Sequence, residues 1–414
     1  MKKKIFVRGP VLSQSGYGEQ SRFALRALRS KEDVFDIFIQ PTAWGKTGWV
    51  WENNDFRRWM DERITLTQVL IHKKQFQPDI SLQITIPNEF EKMAPINVGY
   101  TAGIETSQVA PVWLQKGNEM NKILVVSEHA KNTYKNTVVE ATNTNTGEVI
   151  PYRLSTPIEV VSENTLRSDP EEIPGFNPTT DFNFLMVSQQ GPRKNFENAI
   201  KWWVEEFIDQ EVGLVLKTSI KNNSNIDLQE TKALMKNILG EYPDRKCKVY
   251  ILHGDLTAGQ MTGLYSNEKI KAMINIAHGE GFGLPLYEAA REALPIITIG
   301  WGGQLDFLRF DKKDYFQSVK FDLGTIQKEA VWDGVLDANS SWAYADQGSY
   351  KMVLRKTYKN LDKAKKIAND LKPLIESKFS NESLYENFCN SIYVDNTATD
   401  EEIDALFSSL AEEE

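Results

Sequence analysis

The sequence predicts an α/β protein made of two doubly wound domains, and three observations predict it. Beyond Phe182, short β-branched runs alternate with amphipathic helical segments through short polar turns, the pattern of a parallel sheet covered by helices. Up to His129 the chain shows the same succession of strand, polar turn and helix. Between the two series, Ser162–Asp181 carries Pro170, Pro174 and Pro178 among acidic residues, which reads as an interdomain linker. A chain of 414 residues is long enough for two cores. The expected division is 1–165, a linker at 166–181, a second domain at 182–370, closing helices at 371–395 and an acidic tail at 396–414.

In chain order, Ile5–Val7 starts a strand and Arg8–Gly18 follows as a glycine-rich loop. A helix is expected over Glu19–Arg29, with Phe23, Ala24, Ala27 and Leu28 at helical spacing. This arrangement favours an anion at the helix start, but the spacing is neither a dinucleotide fingerprint nor a P-loop. Gly16 and Gly18 are candidate ligand contacts, and a plain strand-to-helix turn is the competing reading. Pro41–Met60 holds Trp44, Trp49, Trp51 and Trp59. Tryptophan serves sugar faces, interfaces and packed loops alike, so acceptor or partner binding stands beside a core role. Pro78–Ile86 and Ile96–Thr101 read as strands, and Glu105 follows the second, where α/β sites lie. After the strand Ile123–Val126, His129 is either a capping residue or a catalytic one. Asn143–Glu148 reads as a hairpin turn.

The second series has strands at Phe182–Ser188, Val212–Thr218 and Val249–Leu252, with helices at Phe196–Phe207 and Asp227–Leu239. Arg193 and Lys194 lie in the turn after its first strand, Lys217 at the end of its second, and His253-Gly-Asp255 after its third. Tyr350–Phe379 is a long helical run, with a further helix at Glu382–Tyr393. Asp400–Glu414 is acidic with one apolar helical face, which reads as a tail or a docking helix.

The densest signals lie in His278–Phe307, HGEGFGLPLYEAAREALPIITIGWGGQLDF. The run Ala272–Ala277 is strand-like, His278–Gly283 is a glycine-rich turn, Leu286–Leu294 is helical and Ile296–Ile299 is a buried-strand pattern. Gly279, Gly281 and Gly283 allow close backbone approach, and a helix N-terminus attracts anions. Glu280 and Glu288 can face one pocket at the sheet edge, where carboxylates accept hydrogen bonds from the hydroxyl pairs of a sugar or ribose.

The string HGEGFGLP-x-x-E-A resembles the signature of retaining GT-B glycosyltransferases of family four, and VSQQGPRKN resembles that family's phosphate-clasping turn. The resemblance covers roughly Phe182–Leu308, with a further likeness in Ser15–Gly18. It implies two Rossmann-like domains with parallel sheets facing across a cleft, and C-terminal helices that cross back to the first domain. It implies a nucleotide-sugar donor, UDP- or GDP-linked, and a carbohydrate or other hydroxyl-bearing acceptor. Glu280 falls on the group that holds donor-sugar hydroxyls, Glu288 on the ribose contact and Lys194 on the diphosphate lysine. By the same resemblance Gly281, Phe282, Gly283 and Leu284 are expected to line the donor turn, and His253-Gly-Asp255 resembles the family's loop next to the nucleobase. The family's usual arginine position holds Gln189, so Arg193 or Lys217 is expected to supply that charge. The family's first-domain histidine has no clear match, and Glu105 lies near its place. The implied reaction is hexosyl or pentosyl transfer with retention, needing neither metal nor bound cofactor. The alternatives are an inactive glycan-binding scaffold of the same fold and an enzyme that glycosylates modified DNA.

Composition bounds these readings. The net charge of −9 argues against a nucleic-acid partner. No apolar run approaches the length of a membrane span. The start of the chain reads as a strand rather than a signal peptide. Cys247 and Cys389 form no evident disulfide or zinc framework, which fits the cytoplasm.

Overall fold

A computed structural model describes residues 2–142 and 147–392. The first strand shows why the apolar runs form sheets. In β1 (Lys3–Gly9), Ile5, Phe6 and Val7 point to alternate faces yet all are buried, as a strand with helices on both sides requires. The first domain continues with α1 (Gly16–Arg29), β2 (Phe35–Pro41), α2 (Asp55–His72), β3 (Ile80–Ile84), β4 (Ile96–Thr101) and α3 (Pro111–Asn118). Then come β5 (Lys122–Val125), α4 (Glu128–Asn136), β6 (Val139–Thr142), β7 (Val149–Tyr152) and β8 (Ile158–Val160). Its sheet runs β2-β1-β3-β4-β5-β8, with every pair parallel. The expected hairpin is present as antiparallel β6 and β7, while 143–146 of its turn lie outside the described residues.

The second domain holds β9 (Asn183–Gln189), α5 (Phe196–Phe207), β10 (Gly213–Ser219), α6 (Asn225–Gly240), β11 (Lys248–Leu252), α7 (Ala258–Tyr265), β12 (Ile270–Asn275) and α8 (Leu284–Arg291). It goes on through β13 (Ile296–Ile299), α9 (Leu305–Leu308), β14 (Arg309–Phe310), β15 (Lys313–Asp314), β16 (Gln317–Val319), β17 (Phe321–Thr325) and β18 (Ser341–Ala345). The all-parallel sheet runs β11-β10-β9-β12-β13-β16, the doubly wound order in which direction reverses between the first and fourth strands. That reversal opens a crevice beyond the C-terminal ends of β9 and β12. In the first sheet the corresponding reversal falls between β1 and β3.

The long helical run divides at Asn360, which leaves helical geometry at φ −129°, into α10 (Gln347–Lys359) and α11 (Leu361–Lys378). These pack on α5 and α8 of the second domain. The chain then crosses back, and α12 (Asn381–Ile392) packs on α1. Phe388 meets Phe23 at 5.6 Å and Tyr100 at 5.5 Å between ring centroids. Residues 393–414, including the acidic segment, lie outside the described residues. No described helix is long and apolar enough to cross a membrane.

The segment joining β17 to β18 straps the second domain onto the first. Its Val335, only 7% exposed, packs in a first-domain cluster with Phe90 and Trp113. The Gly334 carbonyl accepts from Asn88 Nδ2 at 2.8 Å and Trp113 Nε1 at 3.1 Å. Ser341 N–H donates to Ser107 Oγ, and Ser107 N–H to the Ser341 carbonyl.

Candidate active site

Two turns meet at the reversal point of the second sheet. After β9, Pro192–Lys194 makes one turn of 3₁₀ helix, and Asn195 takes the left-handed conformation at φ 49°, which asparagine tolerates well. This bend delivers Arg193 and Lys194 to the sheet edge before α5 begins. After β12, the turn His278–Gly283 ends with Gly283 at φ 93°, from which α8 starts with Pro285 in its first turn.

Glu280 is the centre of the cluster. Its Oε1 accepts from Lys194 Nζ at 2.6 Å and Asn275 Nδ2 at 2.8 Å, and its Oε2 accepts from Arg193 NH1 at 3.1 Å. Arg193 also donates to the Gly279 carbonyl at 2.8 Å and pairs with Glu105 of the first domain at 3.2 Å. Burial alone would raise the Glu280 carboxyl. Lys194 and Arg193 outweigh it and hold the group down at about 2, so it stays ionised. Lys194 is lowered too, but for a lysine that disfavours the charged form: burial and the neighbouring Arg193 pull it below an ordinary lysine. What the carboxylate gains is therefore partly offset by the cost of keeping an ammonium out of water.

The glycines serve the other domain's backbone. A Cβ on Gly279 would meet the Glu105 carbonyl at 2.3 Å, and one on Gly281 the Ala102 carbonyl at 2.6 Å. Ser127 Oγ donates to the Gly281 carbonyl at 2.7 Å, while Glu128 N–H donates to Asp306 across the seam. Phe282 turns its ring into the core against Phe307 and Tyr287, so only its backbone lines the turn. Leu284 is half-buried beside it at the helix start.

The remaining candidates fall into two neighbouring groups. Lys217 Nζ donates to the Gly254 carbonyl at 2.7 Å, next to Asp255, which accepts from Asn223. Burial pulls Lys217 down. Gln189 donates to the Ile220 carbonyl on this side as well. Glu288 lies on α8 and accepts from Tyr265 Oη at 2.9 Å; burial raises its carboxyl, the opposite of Glu280. Facing it is the first turn of α1, where Ser15 caps the Gly18 N–H and Gly16 is exposed. Tyr17 Oη and Thr101 Oγ1 share a hydrogen bond of 2.7 Å at the end of β4.

Asn275, His278 and His129 complete the surroundings of the cluster. Asn275, the last residue of β12, is a polar residue closing an apolar strand, and that interruption was its signal. His278 is held by its Nδ1 on the Ala343 carbonyl at 2.7 Å and by stacking on Trp342. His129 does not cap α4, because Ser127 does. Its ring stands edge-on to Trp301 at 4.7 Å, and burial lowers its pKa to about 4, so it is neutral at neutral pH.

No family model and no curated protein sequence matches the chain. The fold is that of the GT-B glycosyltransferases. Among solved structures, sucrose-phosphate synthase from Thermosynechococcus elongatus aligns over 94% of this chain and 98% of its own, at 11% identity and a TM-score of 0.60. HepE from Anabaena, solved with UDP-glucose, aligns over 94% and 99% at 11% identity and a TM-score of 0.56. The catalytic domain of starch synthase IV from Arabidopsis thaliana, bound to ADP and acarbose, aligns over 94% and 99% at 13% identity and a TM-score of 0.57.

Proposed function

We propose that the protein is a retaining, metal-independent glycosyltransferase of the family-four kind, moving a hexosyl or pentosyl group from a UDP- or GDP-sugar to an acceptor hydroxyl. The observation that carries this reading is the joining of Arg193, Lys194 and Glu280 at the reversal point of the second sheet. HepE, with UDP-glucose bound, and starch synthase IV, with ADP and acarbose, share the fold and lend support.

Glu280 is the anionic partner of both cations. A bound diphosphate takes over Lys194 and Arg193, and Glu280 turns to the donor-sugar hydroxyls. Glu288 with Tyr265 takes the ribose, and Lys217 and Asp255 lie towards the base. The bond from the anomeric carbon to the leaving phosphate oxygen then breaks, and the bond to the acceptor oxygen forms on the same face. The acceptor proton passes to the leaving phosphate. Lys194 and Arg193 stabilise the charge that grows there. Glu105 holds Arg193 from the acceptor side. The first domain excludes water, a competing acceptor. Cys247 and Cys389 are both free and buried, in keeping with a cytoplasmic setting.

The test is release of nucleotide from UDP-glucose and GDP-mannose, with and without EDTA. Wild type turns over in EDTA, and Glu280→Gln loses most of that turnover while remaining folded. No release by wild type from either donor refutes the enzymatic reading and favours a binding protein.

A further inference from the structure

We propose that Tyr17, Trp44, Trp49 and Trp51 form an aromatic platform that binds a saccharide acceptor of two or more sugar units, leading to the hydroxyl that reacts. The inference rests on the glycosyltransferase reading for the word acceptor, but the binding surface stands on its own observations.

The platform begins in the active site. Tyr17 sits in the first turn of α1, with its hydroxyl on Thr101, four residues before Glu105. Trp44 packs on the Tyr17 ring at 4.3 Å between centroids, which carries the aromatic surface outward from the seam. From Trp44 the chain enters Gly45–Asn54, the segment that carries Trp49 and Trp51.

That segment is tied to the active-site loop rather than left free. Gln14 N–H donates to the Gly48 carbonyl at 2.9 Å, and Val50 N–H donates to the Leu12 carbonyl at 2.8 Å. Ser13 and Trp49 pair as an antiparallel bridge, and Ser13 Oγ lies 2.6 Å from Thr47 Oγ1. Ser13 Oγ also donates to Ser15 Oγ, the cap of α1. The backbone carrying Trp49 is thus fixed relative to Gly16–Gly18, and a pre-ordered segment loses little entropy on binding.

Trp49 is 64% exposed and Trp51 is 75% exposed. Trp59, later in the same tryptophan-rich stretch, shows the alternative fate: it is buried, with its Nε1 on Glu32. Large apolar rings held in water are costly unless something covers them. The neighbours of these two rings choose the occupant. Beside them in the chain, Lys46, Glu52 and Asn53 are exposed, and Thr47 is half-buried. Exposed rings flanked in the chain by charged and amide residues suit pyranose faces, with hydroxyls reaching polar groups. A protein partner would call for a contiguous apolar core, which this segment lacks.

The test is calorimetric titration of the full chain with maltotriose, cellotriose, chitotriose and mannotriose. Trp49→Ala/Trp51→Ala is titrated in parallel, and its thermal midpoint reports its fold. At least one trisaccharide is expected to bind wild type and to bind the double variant about tenfold more weakly or worse. Equal affinity in both proteins overturns the platform, as does failure of all four to bind wild type. A wild type that sediments as a dimer beside a monomeric variant also overturns it, because the occupant would then be a second copy. Titration of wild type with UDP and with GDP separates the two readings: tryptophan-dependent saccharide binding without binding of either nucleotide leaves the platform intact and removes the transferase.

Discussion

Two buried glutamates on either side of the domain seam have their carboxyls shifted in opposite directions. Glu280, 6% exposed, lies at the edge of the second sheet between Lys194, Arg193 and Asn275, which hold its carboxyl at about 2. Glu163, 3% exposed, lies beside α1 of the first domain, where burial and the charge of Glu19 push it up to about 8 against a weaker pull from Arg26. One Glu163 oxygen has no hydrogen-bond partner, as befits a group kept neutral. At the second edge paired cations keep a buried carboxylate ionised, whereas Glu163 on the first side is pushed towards its protonated form. The difference extends to residue type. Arg193, Lys194 and Lys217 line the second edge, while Tyr17, Trp44 and Thr101 line the first. An anionic donor suits one and a neutral, hydroxyl-rich acceptor suits the other.

The sharpest way to break this division is to remove a cation from the second edge. Lys194→Ala leaves Glu280 with Arg193 and Asn275, so the turn keeps two of its bonds. Its turnover of UDP-glucose should fall by about 10²–10³, the usual loss when one positioned charge-stabilising donor is deleted. Tyr17→Phe removes a hydroxyl from the first edge and should lower nucleotide release by less than about tenfold. If the two variants lose equal activity in a kcat and KM comparison, the division of labour is wrong.

The asymmetry also decided how much was legible in the sequence. The second domain was readable because its strands are short β-branched runs and its site is local. Arg193 with Lys194, and Glu280 through Glu288, each occupy a single turn or helix start. Phe196–Phe207 and Ile296–Ile299 have the boundaries that periodicity suggested. The first domain was harder, because α2 lies under a tryptophan-rich stretch whose pattern did not announce a helix. The strap carrying Val335 was not legible at all. Its partners Phe90 and Trp113 are more than two hundred residues away, and no local pattern encodes such a contact. The pairing of Glu105 with Arg193 is of the same kind: each residue was singled out, but the bond between them depends on how the domains meet.

The strap holds the two edges face to face, so it offers a second break. Val335→Asp would place an unpaired carboxylate beside Phe90 and Trp113, at a cost of about 2–4 kcal/mol. The strap should detach rather than bear that cost. Hydrogen exchange should then quicken at the Ser107 and Ser341 amides, which bridge the domains, and stay slow in β9 and β10. Unchanged exchange at Ser107 would mean that the seam is held without the strap.

The smallest effect sharpens the contrast between the glutamates through pH. Glu280 is ionised in the folded protein down to about 2, whereas an ordinary carboxyl protonates near 4.5. Between those values the unfolded chain binds the extra proton, so stability contributed by Glu280 is present above 4.5 and is lost as pH falls towards 2. Glu163 works in the adjoining window with the opposite sign. The folded protein keeps its proton up to about 8 while the unfolded chain releases it near 4.5, so stability falls as pH rises from 4.5 to 8. Glu163→Gln keeps the shape and cannot ionise, so it should flatten that fall. Its unfolding free energy from urea titration should match wild type near pH 4.5 and exceed it at pH 8, by on the order of 1–2 kcal/mol once side-chain relaxation has softened the burial. Glu280→Gln should leave this slope untouched and alter only the acid limb. A Glu163→Gln variant whose stability tracks wild type across the whole range would show that Glu163 ionises freely, and that its burial does not set it apart from Glu280.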